Sequence, residues 1–253
     1  MKFETNKKIL IAGHRGNPSV LPENTLESFK SAIECGVDML ETDIHLTKDN
    51  VLILMHDDDV KRTTDGEGLI REKTYEEIKT LNAGTAKQPM SVPTLREFLE
   101  YSAGIPDLLL NLEIKVYLET EGPERVAYTV NETVRMCEEL GLGKQIMLNC
   151  FDAYVLEYIY LTYGKKYFLH GFYPYSIMKN VKLDPSLYLD YACYWANGQE
   201  AKKQCEELRA LKIEPCTGSD TSEDSFFEAV SYGCTLFTEN NAKSIVEWRN
   251  SIE

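Results

Sequence analysis

Apolar runs that end in ionisable residues recur along this chain, and they constrain its fold more than any other feature. Ile9-Leu10-Ile11-Ala12 leads to His14-Arg15, and Val37-Asp38-Met39-Leu40 leads to Glu41 and Asp43. Val51-Leu52-Ile53-Leu54-Met55 leads to His56, and Leu108-Leu109-Leu110-Asn111-Leu112 leads to Glu113 and Lys115. Runs of this length and composition read as buried strands. Ionisable groups at the ends of buried strands are costly unless they act together. Several such ends on one rim describe the active face of a barrel of parallel strands.

The rest of the pattern alternates strand and helix. Strands are predicted at 9–13, 39–46, 108–114, 145–149, 167–171, 188–194, 212–216 and 235–238, with 51–56 counted in the second unit. Helices are predicted at 26–35, 124–140, 153–161, 199–210, 223–232 and 242–251, with a weak one near Ser176. Asn24 or Thr25 can cap the first helix and Gly36 stops it. Eight units in 253 residues match an α/β fold of the (β/α)8 TIM-barrel type, and residues 1–253 read as one catalytic domain. Residues 57–105 break the alternation and are expected to form a small insertion after the second unit. That stretch holds the turn-rich Thr63-Thr64-Asp65-Gly66-Glu67-Gly68, a short helix from Tyr75 and a helix capped by Thr94.

Charge and cysteine usage exclude some partners. A net charge of −14 offers no basic stripe for nucleic acid or for an anionic lipid surface. It is no argument against a small anionic substrate, which responds to the field of its own pocket. Seven cysteines, an odd count without a Cys-x-x-Cys pair, read as buried thiols in a reducing compartment. The charged N-terminal stretch, with only a short apolar run at 9–12, is not expected to be a signal peptide. No apolar stretch approaches membrane-spanning length. A cytoplasmic protein without membrane insertion is the expectation.

The strand ends carry the chemistry. Glu41 and Asp43 are two apart and share a face, as do Asn111, Glu113 and Lys115. If the two strands are neighbours, three carboxylates converge and repel unless a cation sits among them. All-oxygen ligands suit Mg²⁺ or Ca²⁺. Structural ion pairs, Glu113 with Arg15 and Asp43 with Lys115, explain the spacing equally well. His14 and His56 each end a strand on the same rim and make an acid/base pair. Arg15 and Lys115 suit an anionic group such as a phosphate. His45 is expected to point away from the carboxylates, and His170 ends a later strand. Phe151 and Trp195 follow strands on the active side and are candidates for an apolar pocket wall or a cation–π contact.

His14-Arg15-Gly16, Pro22-Glu23-Asn24-Thr25, Glu41-Thr42-Asp43, His56-Asp57, Arg62-Thr63-Thr64-Asp65-Gly66, Val92-Pro93-Thr94-Leu95 and Glu113-Ile114-Lys115 resemble, in order and spacing, the glycerophosphodiester phosphodiesterase family. The resemblance covers residues 9 to about 115. It implies a (β/α)8 barrel with a small insertion, and divalent-cation-dependent hydrolysis of glycerophosphodiesters to glycerol 3-phosphate and an alcohol. It further implies His14 and His56 as catalytic residues, Glu41, Asp43 and Glu113 as metal ligands, and Arg15 and Lys115 as phosphate contacts. A lyase that stops at a cyclic phosphate and a non-catalytic phosphodiester-binding barrel are the alternatives. The later half departs from the family. Thr217-Gly218 stands where a Trp-Thr pair is common, and Thr238-Glu239-Asn240-Asn241 stands where Thr-Asp-x-Pro is frequent.

Overall fold

The computed structural model describes Phe3 and residues 5–252. Its strands are β1 (Leu10–His14), β2 (Met39–Leu46), β3 (Leu52–Leu54), β4 (Leu109–Ile114), β5 (Ile146–Asn149), β6 (Phe168–Tyr173), β7 (Tyr191–Tyr194), β8 (Glu214–Ser219) and β9 (Leu236–Glu239). Its α-helices are α1 (Leu26–Glu34), α2 (Tyr75–Ile78), α3 (Leu95–Ala103), α4 (Leu118–Glu139), α5 (Ala153–Tyr163), α6 (Gly198–Ala210), α7 (Glu223–Ser231) and α8 (Ala242–Asn250). The strands run in the order β1-β9-β8-β7-β6-β5-β4-β2, and a β1–β2 pairing closes the ring. All ring pairings are parallel. The expected TIM barrel is therefore present.

β2 is long because one of its edges serves two neighbours in turn while the other pairs with β4. Met39 to Glu41 pair with β1, while Ile44 to Leu46 pair antiparallel with β3 above the rim. β3 also has two faces. Leu52 and Leu54 join the core between barrel and helices, whereas Ile53 and Met55 join a small cluster with Val60, Ile70, Ile78 and Val92. The alternation follows directly from the period of two in a strand. The insertion thus has its own apolar centre.

The insertion is shorter than the 57–105 span read from sequence. Leu95, Phe98 and Leu99 of α3 lie in the main core, and the Phe98 ring meets Phe29 of α1 at 4.6 Å. α3 is the outer helix of the second unit, started by a capping box between Thr94 and Glu97. The predicted weak helix near Ser176 is a 3₁₀ turn, Tyr175–Ile177, followed by a second, Pro185–Leu187. β6 is thus the one ring strand not followed by an α-helix among the described residues. α4 begins earlier than predicted, with a break at Gly122 (φ 79°) before Pro123 opens its main run.

Two apolar layers hold the barrel. The larger lies between strands and helices. The smaller fills the barrel interior below the rim, with Leu10, Ala12, Met39, Leu109, Met147, Tyr191 and Leu236, and Phe3 closes it from beneath against Phe168. Each such large side chain contributes ~1.5–3 kcal/mol on burial. The inward positions one layer higher are polar, and that switch makes the site.

Candidate active site

The register stacks the strand ends into one layer. Glu41 lies beside His14 and Asn111, Asp43 beside Glu113, Glu113 beside Asn149, and Asn149 beside His170. All of these except Asp43 line a cavity of about 270 Å³ at the C-terminal mouth of the barrel, together with His56 and Lys115.

β1 leaves the barrel through a turn with two left-handed residues, Arg15 (φ 56°) and Gly16 (φ 92°). A Cβ at Gly16 would stand 2.5 Å from the Ser28 hydroxyl, so this position requires glycine. The turn directs the Arg15 N–H to Glu41 Oε2 at 2.9 Å and places Arg15 Nε 3.3 Å from Asp43 Oδ2. The Arg15 guanidinium also reaches Glu23 at 3.1 Å.

Glu41, Asp43 and Glu113 each present a carboxylate oxygen within 4.8 Å of the others. All three are buried. Burial, then the charges of its two neighbours, pushes the Glu41 carboxyl well above the ordinary range. Burial and the nearby Asp43 charge likewise raise Glu113, against the pull of Lys115. Asp43 goes the other way. Burial alone would raise it, but Lys115 and Arg15 outweigh burial and hold it low. The Lys115 ammonium lies 2.6 Å from Glu113 and 3.1 Å from Asp43, and these neighbours keep it charged despite burial. The anticipated Asp43–Lys115 ion pair is therefore present, while Arg15 reaches Asp43 and Glu23. Ion pairs and carboxylate cluster coexist. Asp43 Oδ1 is buried and faces the Lys115 ammonium at 3.1 Å. Three buried carboxylates with oxygens this close form a set of hard ligands that fits a divalent cation.

Asn24, a candidate cap in the sequence, does something else. Thr25 caps α1 by accepting from Ser28 N–H, and Asn24 (φ 55°) turns inward. Its Nδ2 donates to Asp43 Oδ2 at 2.9 Å and its Oδ1 accepts from the Thr42 hydroxyl at 2.8 Å. The loop before α1 thereby orients one of the clustered carboxylates.

The two histidines have different partners. His14 Nδ1 lies 2.7 Å from Asn240 Oδ1, and Nε2 stands 3.9 Å from Glu41. Burial, helped by Arg15, lowers the His14 pKa to about 4. His56 Nδ1 bonds the Asp57 carboxylate at 2.7 Å. Arg62 bridges Asp57 and Glu23, so a run of charge links His56 through the insertion back to Arg15.

His45 overturns its expectation. It is two residues beyond Asp43, so it shares the carboxylates' face instead of opposing it. Its Nε2 meets the His56 carbonyl oxygen at 3.2 Å, and burial lowers its pKa to about 4. His170 lies on the cavity wall, buried, 3.2 Å from Cys216 Sγ and 3.3 Å from Asn111 Nδ2. Burial takes its pKa to about 3.

Phe151 and Trp195 line the cavity, with a third ring that the sequence reading missed. Phe172 stacks on Phe151 at 3.5 Å between centroids, and Trp195 stands edge-on to both at 5.9 and 6.4 Å. Trp195 is 60% exposed. Asn111 and Asn149 were also missed as lining residues, and each has a buried Oδ1 without a hydrogen-bond partner. Their signal was available: Asn111 is two residues before Glu113 on the same strand face, and Asn149 closes the apolar run Ile146-Met147-Leu148.

Fold and site together define a (β/α)8 barrel whose mouth joins clustered carboxylates, paired histidines and two cations. The chain belongs to the glycerophosphoryl diester phosphodiesterase family, whose sequence profile matches residues 14–183. A glycerophosphodiester phosphodiesterase from Caldanaerobacter subterraneus subsp. tengcongensis is 37% identical over 154 residues, which are 59% of this chain and 61% of that protein. The match thus spans less than two thirds of that relative's length. A solved structure from Silicibacter pomeroyi superposes with a TM-score of 0.84 at 19% identity, covering 98% of this chain and 95% of that one. A phosphodiesterase from Oleispira antarctica, solved with the product sn-glycerol-3-phosphate, gives a TM-score of 0.79 at 21% identity, over 95% and 96% of the two chains. At these identities the two structures support the fold.

Proposed function

We propose that this protein hydrolyses glycerophosphodiesters to glycerol 3-phosphate and an alcohol, with the help of a divalent cation. The observation that carries the proposal is a cluster of three mutually close carboxylates, two of which, Glu41 and Glu113, line one cavity with two differently partnered histidines. Family membership and the relatives' named activity support the substrate class. Glu41, Asp43 and Glu113 would hold the cation, Mg²⁺ or Ca²⁺, which when bound supplies positive charge to the phosphoryl oxygens.

The residues of the chain do the rest. Arg15 and Lys115 bind phosphoryl oxygens from the rim, each already oriented by the carboxylates. One histidine takes the proton of the glycerol 2-hydroxyl as that oxygen bonds to phosphorus. The other gives a proton to the alcohol oxygen as its bond to phosphorus breaks. Water then opens the cyclic phosphate, with the two proton transfers reversed. The aromatic wall of Phe151, Phe172 and Trp195 receives the alcohol. The Lys115 ammonium stands 5.9 Å from the Phe151 centroid, so this wall offers a quaternary ammonium little net attraction. Broad tolerance of the alcohol follows.

All seven cysteines are free, which suits the reducing cytoplasm. No helix among the described residues is long and apolar enough to cross a membrane. The test is phosphorus NMR of glycerophosphocholine, glycerophosphoethanolamine and glycerophosphoinositol incubated with the protein, with and without chelator. Glycerol 3-phosphate from all three, lost on chelation, is expected. Accumulating cyclic phosphate would point to a lyase, and unchanged diester in the presence of Mg²⁺ and Ca²⁺ would refute the enzyme.

A further inference from the structure

Asn240 lies in the loop after β9, where this chain departs from the family's frequent Thr-Asp-x-Pro. Each of its four polar atoms has a partner. Its backbone N–H donates to the Ser219 carbonyl at 3.0 Å, and its carbonyl accepts from the Ser19 N–H at 3.3 Å. Its Nδ2 donates to Asp220 Oδ1 at 2.8 Å, and its Oδ1 lies 2.7 Å from His14 Nδ1. Asn240 therefore ties the loops after β1, β8 and β9 to the His14 ring.

The direction of these bonds fixes a proton. A carboxylate accepts only, so Asp220 holds the amide nitrogen toward itself and turns the amide oxygen to His14. An amide oxygen also accepts only. At 2.7 Å the facing Nδ1 must carry hydrogen, or two lone pairs would collide. His14 Nε2 is then the atom with a lone pair. Glu41 Oε2, 3.9 Å from Nε2, marks the carboxylate side of the cavity. Imidazole free in water favours hydrogen on Nε2, so the arrangement opposes the intrinsic preference and needs a partner to maintain it.

We propose that Asn240, oriented by Asp220, is a positioning residue that holds His14 in the Nδ1–H tautomer and leaves Nε2 free to take a proton from substrate. The catalytic meaning rests on the role given to His14 above, while the tautomer itself does not. The partners also separate the two histidines. His14 faces a neutral amide oxygen, whereas His56 faces the Asp57 carboxylate.

The test pairs a spectrum with kinetics. Long-range ¹H–¹⁵N spectra of the ¹⁵N-histidine protein, with the His14 signals assigned by their loss in His14→Gln, should show the proton on Nδ1, with or without added Mg²⁺. Asn240→Ala should move that proton to Nε2 and lower kcat on glycerophosphocholine by ~10–100-fold, with KM within about 3-fold of wild type. Asp220→Ala should give a tautomer mixture and a smaller loss. The exchange Asn240→Asp with Asp220→Asn keeps an acceptor toward His14 and a donor behind it, and should restore both the Nδ1–H signal and most of kcat. Such rescue is not expected of a residue that merely packs. A wild-type His14 protonated on Nε2, or an Asn240→Ala protein unchanged in both tautomer and kcat, would overturn the proposal. Full activity in His14→Ala would instead overturn the catalytic reading, and the spectrum would still judge the tautomer.

Discussion

Glu239 ends β9 nearly buried, 3% exposed, and both of its carboxylate oxygens take hydrogen bonds from Thr221, one from the N–H at 3.0 Å and one from the hydroxyl. Burial raises its pKa from the ordinary 4.5 to about 7, more than those bonds lower it. At about 1.4 kcal/mol for each tenfold in proton affinity, this is worth about 3 kcal/mol. The sign follows from the direction. Below pH 4.5 the group is protonated folded or unfolded and costs nothing. As the pH climbs through 7 the unfolded chain ionises freely while the folded chain resists, so stability falls. Glu239→Gln has no proton to lose. It leaves one Thr221 donor facing an amide NH₂, a fixed cost of ~1–3 kcal/mol. Urea unfolding of both proteins from pH 4.5 to 8 should show wild type ahead at low pH and its advantage shrinking by about 3 kcal/mol by pH 8. All other titrating groups are common to both proteins and cancel in the difference. A difference constant within about 0.5 kcal/mol across that range would refute the reasoning.

Chelation should abolish diester hydrolysis and Mg²⁺ or Ca²⁺ should restore it. In thermal melts, either ion should raise Tm of the wild type and leave Glu41→Gln or Glu113→Gln unmoved. His14→Ala and His56→Ala should each lose ~10²–10⁴-fold in rate with circular dichroism unchanged. His45→Ala should cost ~1–3 kcal/mol in urea unfolding, since it strips the buried donor from the His56 carbonyl, and should lower kcat less than His56→Ala does. Trp195→Ala should change kcat/KM for choline, ethanolamine and inositol diesters alike, because an isolated aromatic contact is worth only ~0.5–2 kcal/mol. Discrimination of many thousand-fold among the three would reveal a dedicated pocket for the alcohol.

Much of the barrel was legible because its strands are apolar, short and regularly spaced. The cluster of Glu41, Asp43 and Glu113 was legible because residues two apart on a strand share a face, and parallel neighbours in register extend that face sideways. The same rule read without care misplaced His45. The insertion's end was misjudged because Thr94 to Ser102 follows a long loop. Only tertiary contacts, such as Phe98 on Phe29, show which body α3 packs against. Asn24, Asn240 and Phe172 were illegible for another reason. Each acts through a partner distant in sequence, and nothing in a single chain announces that Asn240 meets a histidine 226 residues away.

Those distant partners explain why the insertion belongs to the site and is not an ornament on the rim. His56 stands at its root, where β3 leaves the barrel, and Asp57 follows at once. Arg62 then crosses back to Glu23, with hydrogen bonds of 2.9 and 2.8 Å, and Glu23 meets Arg15 at 3.1 Å. Arg62 holds Asp57 low, at about 2, so Asp57 remains an acceptor for His56 throughout the neutral range. Exposed pairs of this kind contribute little stability singly. Their effect is geometric: each is shared by a neighbour, so moving one moves the next. Arg62→Ala should therefore leave the fold standing while loosening His56 and Arg15 together. The expected sign is a fall in kcat and a rise in KM from a residue that touches neither. A loss confined to KM, with kcat intact, would show that His56 keeps its place without this link.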